Sequence, residues 1–341
     1  MARHHAFLIL IALLLAPTPP AAAAPEGEVP AVQKLSSYPG ARGKAIEDKV
    51  APATAAVLER ALKSNLEYGQ DVRPEAAPPD HELTPKVRAA LKSLPPAIHK
   101  LASQYVTSVF LVEDDFGTAT TEGVQDEQGR WLQCYIVLNL TALTRTANAW
   151  SEWKENSAFR ADPKFRLKMT IEAAAGDTQE NAIRFILIHE LGHVIGLGLG
   201  VHAFWDLEGL PPATRDSPFL KVSWQPNKAG TELASRWAER FPRLSQAKFY
   251  RFDKAALPLS DAEAVYRALA QTDFPSLYGV TNIYDDFAEA FAIYVHAKLG
   301  GRPYTVEVFE GAAPRIAYTS CIVTGACPEK VKALEKVLAG K

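Results

Sequence analysis

The chain has 341 residues, 48% of them hydrophobic, which is too apolar for a disordered chain and enough for one large domain or two small ones. Its 37 basic and 39 acidic residues leave a formal net charge of −2, which gives no sign of a nucleic-acid surface or an acidic tail.

Arg3, His4 and His5 precede an apolar run at 6–16 and a small-residue stretch at 19–24. That is the layout of a secretory signal peptide, 1–24, cleaved within 21–24. The run is shorter than the roughly 20 residues of a bilayer span, so an exported protein, secreted or periplasmic, is expected, without stable membrane insertion after cleavage. An uncleaved anchor is the alternative.

Residues 25–43 are rich in Pro, Ala, Gly and Ser without an apolar period and read as a linker, followed by a helical pattern at 44–66 and a Pro-rich gap at 71–79. The segment 25–83 is therefore expected to be linker plus an N-terminal helical piece, with the compact domain covering 84–300. Within it, 84–105 reads as one or two short helices broken at Pro95 and Pro96. The runs VTSVFLVE (106–113) and WLQCYIVLNL (131–140) have the β-branched and aromatic content of strands. Together they suggest a small antiparallel sheet, separated by a polar stretch at 114–130.

A helix is predicted from Asp177, a plausible N-cap with Glu180 three residues on, to the glycines at 196, 198 and 200. A second capping pair, Ser260 and Glu263, opens a helical signal at 260–270. A last strong helix spans 282–299 and stops at Gly300, Gly301 and Pro303. The remainder, 301–341, is expected as a tail with a short helix. Cys321 and Cys327 enclose only IVTGA and can close a disulfide loop in an oxidising compartment, leaving Cys134 in an apolar run, buried or paired with one of the two.

The chemistry lies in HELGH, 189–193. Residues four apart on a helix are offset by about 40° and 6 Å of rise, so His189 and His193 share a face and can address one ion. Glu190 is placed to contact a water at that ion without being a ligand, the position of a general base. A third ligand is needed. The metzincin extension fails, because Leu199 stands where a histidine or aspartate is required and both methionines, Met1 and Met169, lie upstream. YGVTNIYDDFAEAF, 278–291, offers Asp285 and Glu289, four apart and on one helix face; a solvated acidic face extended by Asp286 is the plainer reading.

These two segments resemble the zinc-binding pair in the catalytic domain of anthrax lethal factor and its bacterial relatives, gluzincin-type metallopeptidases. The resemblance implies an α+β, zincin-like domain with a small antiparallel or mixed sheet packed on the HExxH helix and a second ligand-bearing helix. It implies one Zn2+ held by His189, His193 and Asp285, with Glu190 as base and Tyr278 facing the oxyanion. Glu289 falls on the outer supporting position. Asp285 is one methylene shorter than the family's glutamate, so its helix must come closer or Glu289 must replace it as ligand. The resemblance also implies an edge strand over the site, 131–140 or its competitor 106–113, that pairs with an extended peptide or protein substrate. An exported zinc peptidase is thus expected, against a catalytically inactive zincin-fold binding protein or a structural zinc site, in which Glu190 would have no task.

Overall fold

The computed structural model describes residues 9–10, 29–67, 69–250 and 255–340. The expected signal peptide lies outside them apart from Ile9 and Leu10. Among the described residues no helix is long and apolar enough to cross a membrane. Helices and several small sheets make a mixed α+β chain. Contacts group it into two units, residues 1–144 with 193–209 and residues 145–192 with 210–341.

The first unit is built on a mixed sheet of β1 (Val50–Pro52), β2 (Glu75–Ala76), β3 (Val106–Glu113), β4 (Ala119–Gln125) and β5 (Trp131–Asn139). Its order is β4–β5–β3–β1, with β2 pairing the end of β3. β4 and β5 are antiparallel, whereas β5 with β3 and β3 with β1 are parallel, so the antiparallel sheet expected from sequence is corrected to a mixed one. The edge-strand expectation is corrected too, because β5 lies between β4 and β3, and β3 between β5 and β1. Continuous apolar runs are the mark of strands with neighbours on both sides and cover on both faces. The strand at the side is instead the polar ATTEGVQ of β4, inside the stretch expected as loop; beyond it lie only Ile9–Leu10 and a bridge from Lys34 to Gln125 among the described residues.

β4 escapes a hydrophobic pattern search because it buries polar residues, one of which is held by groups from distant parts of the chain. Glu122 Oε2 accepts from Gln33 Nε2 at 3.1 Å and from Arg60 Nη2 at 3.3 Å, and Gly123 has no room for a Cβ, which would meet the Phe204 ring at 2.3 Å. Phe204 in turn stacks on Trp131 with centroids 3.7 Å apart.

The segment before residue 84 is part of this unit. Val32, Leu35 and Tyr38 pack with Val57, Phe110, Val112, Val124, Tyr135 and Val137 in one core, through short 3-10 turns that leave no helical period in the sequence. The pattern at 44–66 divides into β1 and α1 (Ala55–Glu67), since Pro52 has no N–H to continue a helix. α2 (Thr84–Lys92) and α3 (Pro96–Tyr105) appear as expected, with Pro96 starting the second.

The second unit contains α4 (Ala147–Asn156), β6 (Phe165–Thr170), most of α5 (Gln179–Gly198), α6 (Ala262–Leu269), α7 (Ile283–Ile293), the hairpin β7 (Thr305–Glu310) and β8 (Ala313–Thr319), and α8 (Pro328–Leu338). β7 pairs antiparallel with both β8 and β6, so residues after 300 supply two strands of a three-stranded sheet rather than a tail. The Cys321–Cys327 disulfide forms, and Cys134 is free and buried in β5.

The helix ends follow local chemistry with two corrections. α5 is capped by Thr178, whose Oγ1 accepts from the Asn181 N–H at 3.2 Å, while Asp177 accepts from the Asn148 N–H at the start of α4. The pair expected at Ser260 and Glu263 does not form; Glu263 takes Arg267 and Arg315 instead. α5 stops as expected: Gly200 has φ +69°, and Val201 N–H and Gly200 N–H bond back to the Gly196 and Leu197 carbonyls.

Candidate metal centre

α5 carries apolar residues on every side of its second half, and from Ala182 to Leu197 every residue is buried. The histidines of HELGH are therefore interior groups. Gly192 explains how a second helix reaches them, since a Cβ there would lie 2.6 Å from the Ala288 Cα of α7. Two helix backbones in such contact bring a short carboxylate within range. His189 Nε2 stands 3.7 Å from Asp285 Oδ1, and one donor atom each from His189, His193 and Asp285 lie within 4.8 Å of one another, all three residues buried. This group could hold a metal ion.

The donor set fits such an ion. Tetrahedral zinc with ligands at about 2.1 Å sets donor atoms roughly 3.4 Å apart, close to the 3.7 Å His189–Asp285 separation. Two imidazoles with one carboxylate also leave one tetrahedral position for a further ligand.

Asp285 is oriented from its own helix start. Asn282, the N-cap of α7, accepts from the Tyr284 and Asp285 N–H groups and donates through Nδ2 to Asp285 Oδ2 at 2.6 Å. The other oxygen, Oδ1, is the one nearest His189.

Glu289, the alternative ligand, is engaged elsewhere. Its Oε1 lies 2.9 Å from His189 Nδ1 and accepts from Lys154 Nζ at 2.8 Å; its Oε2 accepts from Ser276 Oγ at 2.6 Å and Tyr304 OH at 3.3 Å. Burial would raise the Glu289 carboxyl, but the Lys154 charge and the His189 contact outweigh it and hold it well below the usual carboxylate range. Burial would likewise lower His189; hydrogen bonds to Asp285 and Glu289 outweigh it and push His189 up to about 9. A carboxylate on the far nitrogen of a histidine fixes the tautomer that presents Nε2 to an ion.

Sequence reading missed Lys154, Ser276 and Tyr304. Lys154 sits in an ordinary-looking helical stretch, and nothing local marks its partner 135 residues away. Asp286 is also buried rather than part of a solvated face: Lys330 Nζ reaches both of its oxygens at 2.6 and 2.7 Å, and Trp224 Nε1 donates at 2.8 Å.

Tyr278 lies in the turn before α7, 3% exposed, its ring centroid 5.8 Å from that of His189 with Lys154 Nζ 4.1 Å over its face. Burial first, then the charges of Asp285, Glu289 and Glu190, raise its pKa well above 10, so the phenol keeps its proton and can donate. Glu190 is fully buried on the turn between the histidines.

Glu155, beside Lys154, accepts from Tyr266 OH and is pushed from 4.5 up to about 7, mainly by burial, against the lowering effects of Tyr266 and Lys154. Between those values the folded chain holds a proton that the unfolded chain releases, so this group's stabilisation is present below pH 4.5 and lost as pH rises through about 7. Glu155→Gln, which copies the protonated form, is expected to match wild type in unfolding free energy, measured in urea, at low pH and to exceed it by about 3 kcal/mol above pH 7. Equal stabilities at pH 8 would refute it.

No family model, curated protein or solved structure matches the chain. The site residues expected from sequence, His189, Glu190, His193, Tyr278, Asp285 and Glu289, lie in α5 and in the turn and helix of 278–293, and all six are buried.

Proposed function

We propose that the chain is a zinc-dependent peptidase of the gluzincin type, similar in its site to the anthrax lethal factor family, exported if its leader acts as a signal peptide. The observation that carries the reading is the convergence of His189, His193 and Asp285 with Glu289 on the outer nitrogen of His189. Charge agrees with a bound cation: the carboxyl groups of Glu190, Asp285 and Glu289 are all buried, and Lys154 is paired with Glu289. Uncompensated charge of that kind is costly in the interior.

His189, His193 and Asp285 would hold the ion. Zinc, when bound, supplies Lewis acidity that polarises a carbonyl and acidifies water. Glu190 accepts the proton of the attacking water and passes it to the amine that leaves. Tyr278 donates a hydrogen bond to the oxygen on which negative charge develops, a contact worth about 3–4 kcal/mol where one such donor has been removed from other enzymes. Lys154 holds Glu289, and through it the His189 ring, in one orientation.

The test is metal content and hydrolysis on one sample. Purified protein is expected to carry about one zinc per chain, to cleave members of a random peptide library, to stop when a chelator removes the metal, and to resume when zinc returns. Metal-loaded protein that cleaves no peptide would favour the inactive binding protein instead.

A further inference from the structure

One buried hydroxyl on a ring beside Tyr278 has no part in the scheme above, that of Tyr250. Its residue is half-buried, yet the hydroxyl itself is sequestered and has no hydrogen-bond partner among the described residues. The ring stands perpendicular to Tyr278 at 6.4 Å between centroids, and 5.5 Å from Trp153. Burial, then the charges of Glu289, Asp285, Glu190 and Glu155, raise the phenol well above its usual pKa. The phenol therefore keeps its proton and remains able to donate it in a hydrogen bond.

The backbone at this residue is unusual as well. Tyr250 has φ +59°, a left-handed conformation that glycine or asparagine adopts more readily. It is pinned there by its N–H, which donates to Ser157 Oγ at 2.6 Å, while Ser157 Oγ donates to the Lys154 carbonyl at the end of α4. Packing alone accounts for neither feature. Phenylalanine would make the same ring contacts without burying a hydroxyl, and glycine would relax the backbone. Two unfavourable features at one residue, packed against Tyr278, match the way strain gathers at functional sites.

We propose that Tyr250 is a second hydroxyl donor of the metal centre, giving its hydrogen bond, alongside Tyr278, to an anionic oxygen of the ligand bound there. The inference rests on the metal reading above and deepens it, since it specifies an oxyanion with two phenolic donors. Its acceptor is a tetrahedral oxyanion, for which inorganic phosphate is a simple probe.

Cobalt(II)-substituted protein permits a test without hydrolysis, through its visible absorption bands. Phosphate titrated into wild type is expected to shift those bands. Tyr250→Phe is expected to take up cobalt with the same stoichiometry and unperturbed spectrum, and to bind phosphate about tenfold more weakly. Tyr250→Asn, suited to the left-handed backbone, serves as the second variant and is expected to weaken phosphate equally. Equal phosphate affinity in wild type and either folded variant overturns the role of Tyr250, as does wild type whose bands do not respond to phosphate. Wild type that takes up no cobalt overturns the metal reading and this inference together.

Discussion

Glu190→Gln is expected to lower peptide hydrolysis by about a hundredfold to ten-thousandfold, the range that a positioned general base contributes, while leaving zinc content unchanged. The variant is nearly isosteric, and the side chain it replaces is fully buried on a helix already packed on all sides, so the fold has little reason to respond. What glutamine lacks is an oxygen able to take a proton. Because Glu190 is not among the converging ligand atoms, its loss does not remove a bond to the ion. Measured side by side on the same peptides, with zinc determined on each preparation, equal rates for wild type and variant would end the mechanism. Loss of both zinc and activity would instead move Glu190 among the ligands.

The second large effect separates Asp285 from Glu289. Asp285→Ala removes one of three converging donors and is expected to leave protein without zinc after dialysis. Glu289→Gln alters the support behind His189, and outer groups of this kind typically cost 10–100-fold in metal affinity. The same change deprives Lys154 of its partner in the interior, a loss of roughly 3–5 kcal/mol where buried pairs have been broken. Zinc affinity must therefore be read where circular dichroism shows the variant folded. A greater loss of zinc from folded Glu289→Gln than from Asp285→Ala would reverse the two assignments. The structure favours the stated order because both Glu289 oxygens already have partners within 3.3 Å, whereas Asp285 Oδ1 is the oxygen nearest His189 Nε2.

Asp285 is one methylene shorter than a glutamate, and Gly192 bears directly on its reach. The missing side chain lets α7 approach α5 until Ala288 Cα lies 2.6 Å from where a Cβ would stand, a closeness that no pattern in either segment announces. A shorter side chain and a closer helix are thus compatible.

The sequence by itself determined what depends on neighbours along the chain. Four-residue spacing puts His189 and His193 on one helix face, Asn282 and Gly200 mark helix ends through their own backbone chemistry, and a separation of six residues between Cys321 and Cys327 allows a small disulfide loop. Only the tertiary structure decided what depends on distant partners. It set the parallel pairing of β3 with β5, the burial of Glu122 in a strand without a hydrophobic pattern, the pairing of β7 with β6, the Lys154–Glu289 pair and the packing of Tyr250 against Tyr278. The physical reason is that turns, caps and helix faces are local energies, whereas a buried charge or a strand's position in a sheet is stabilised only by a group that folding brings from elsewhere in the chain.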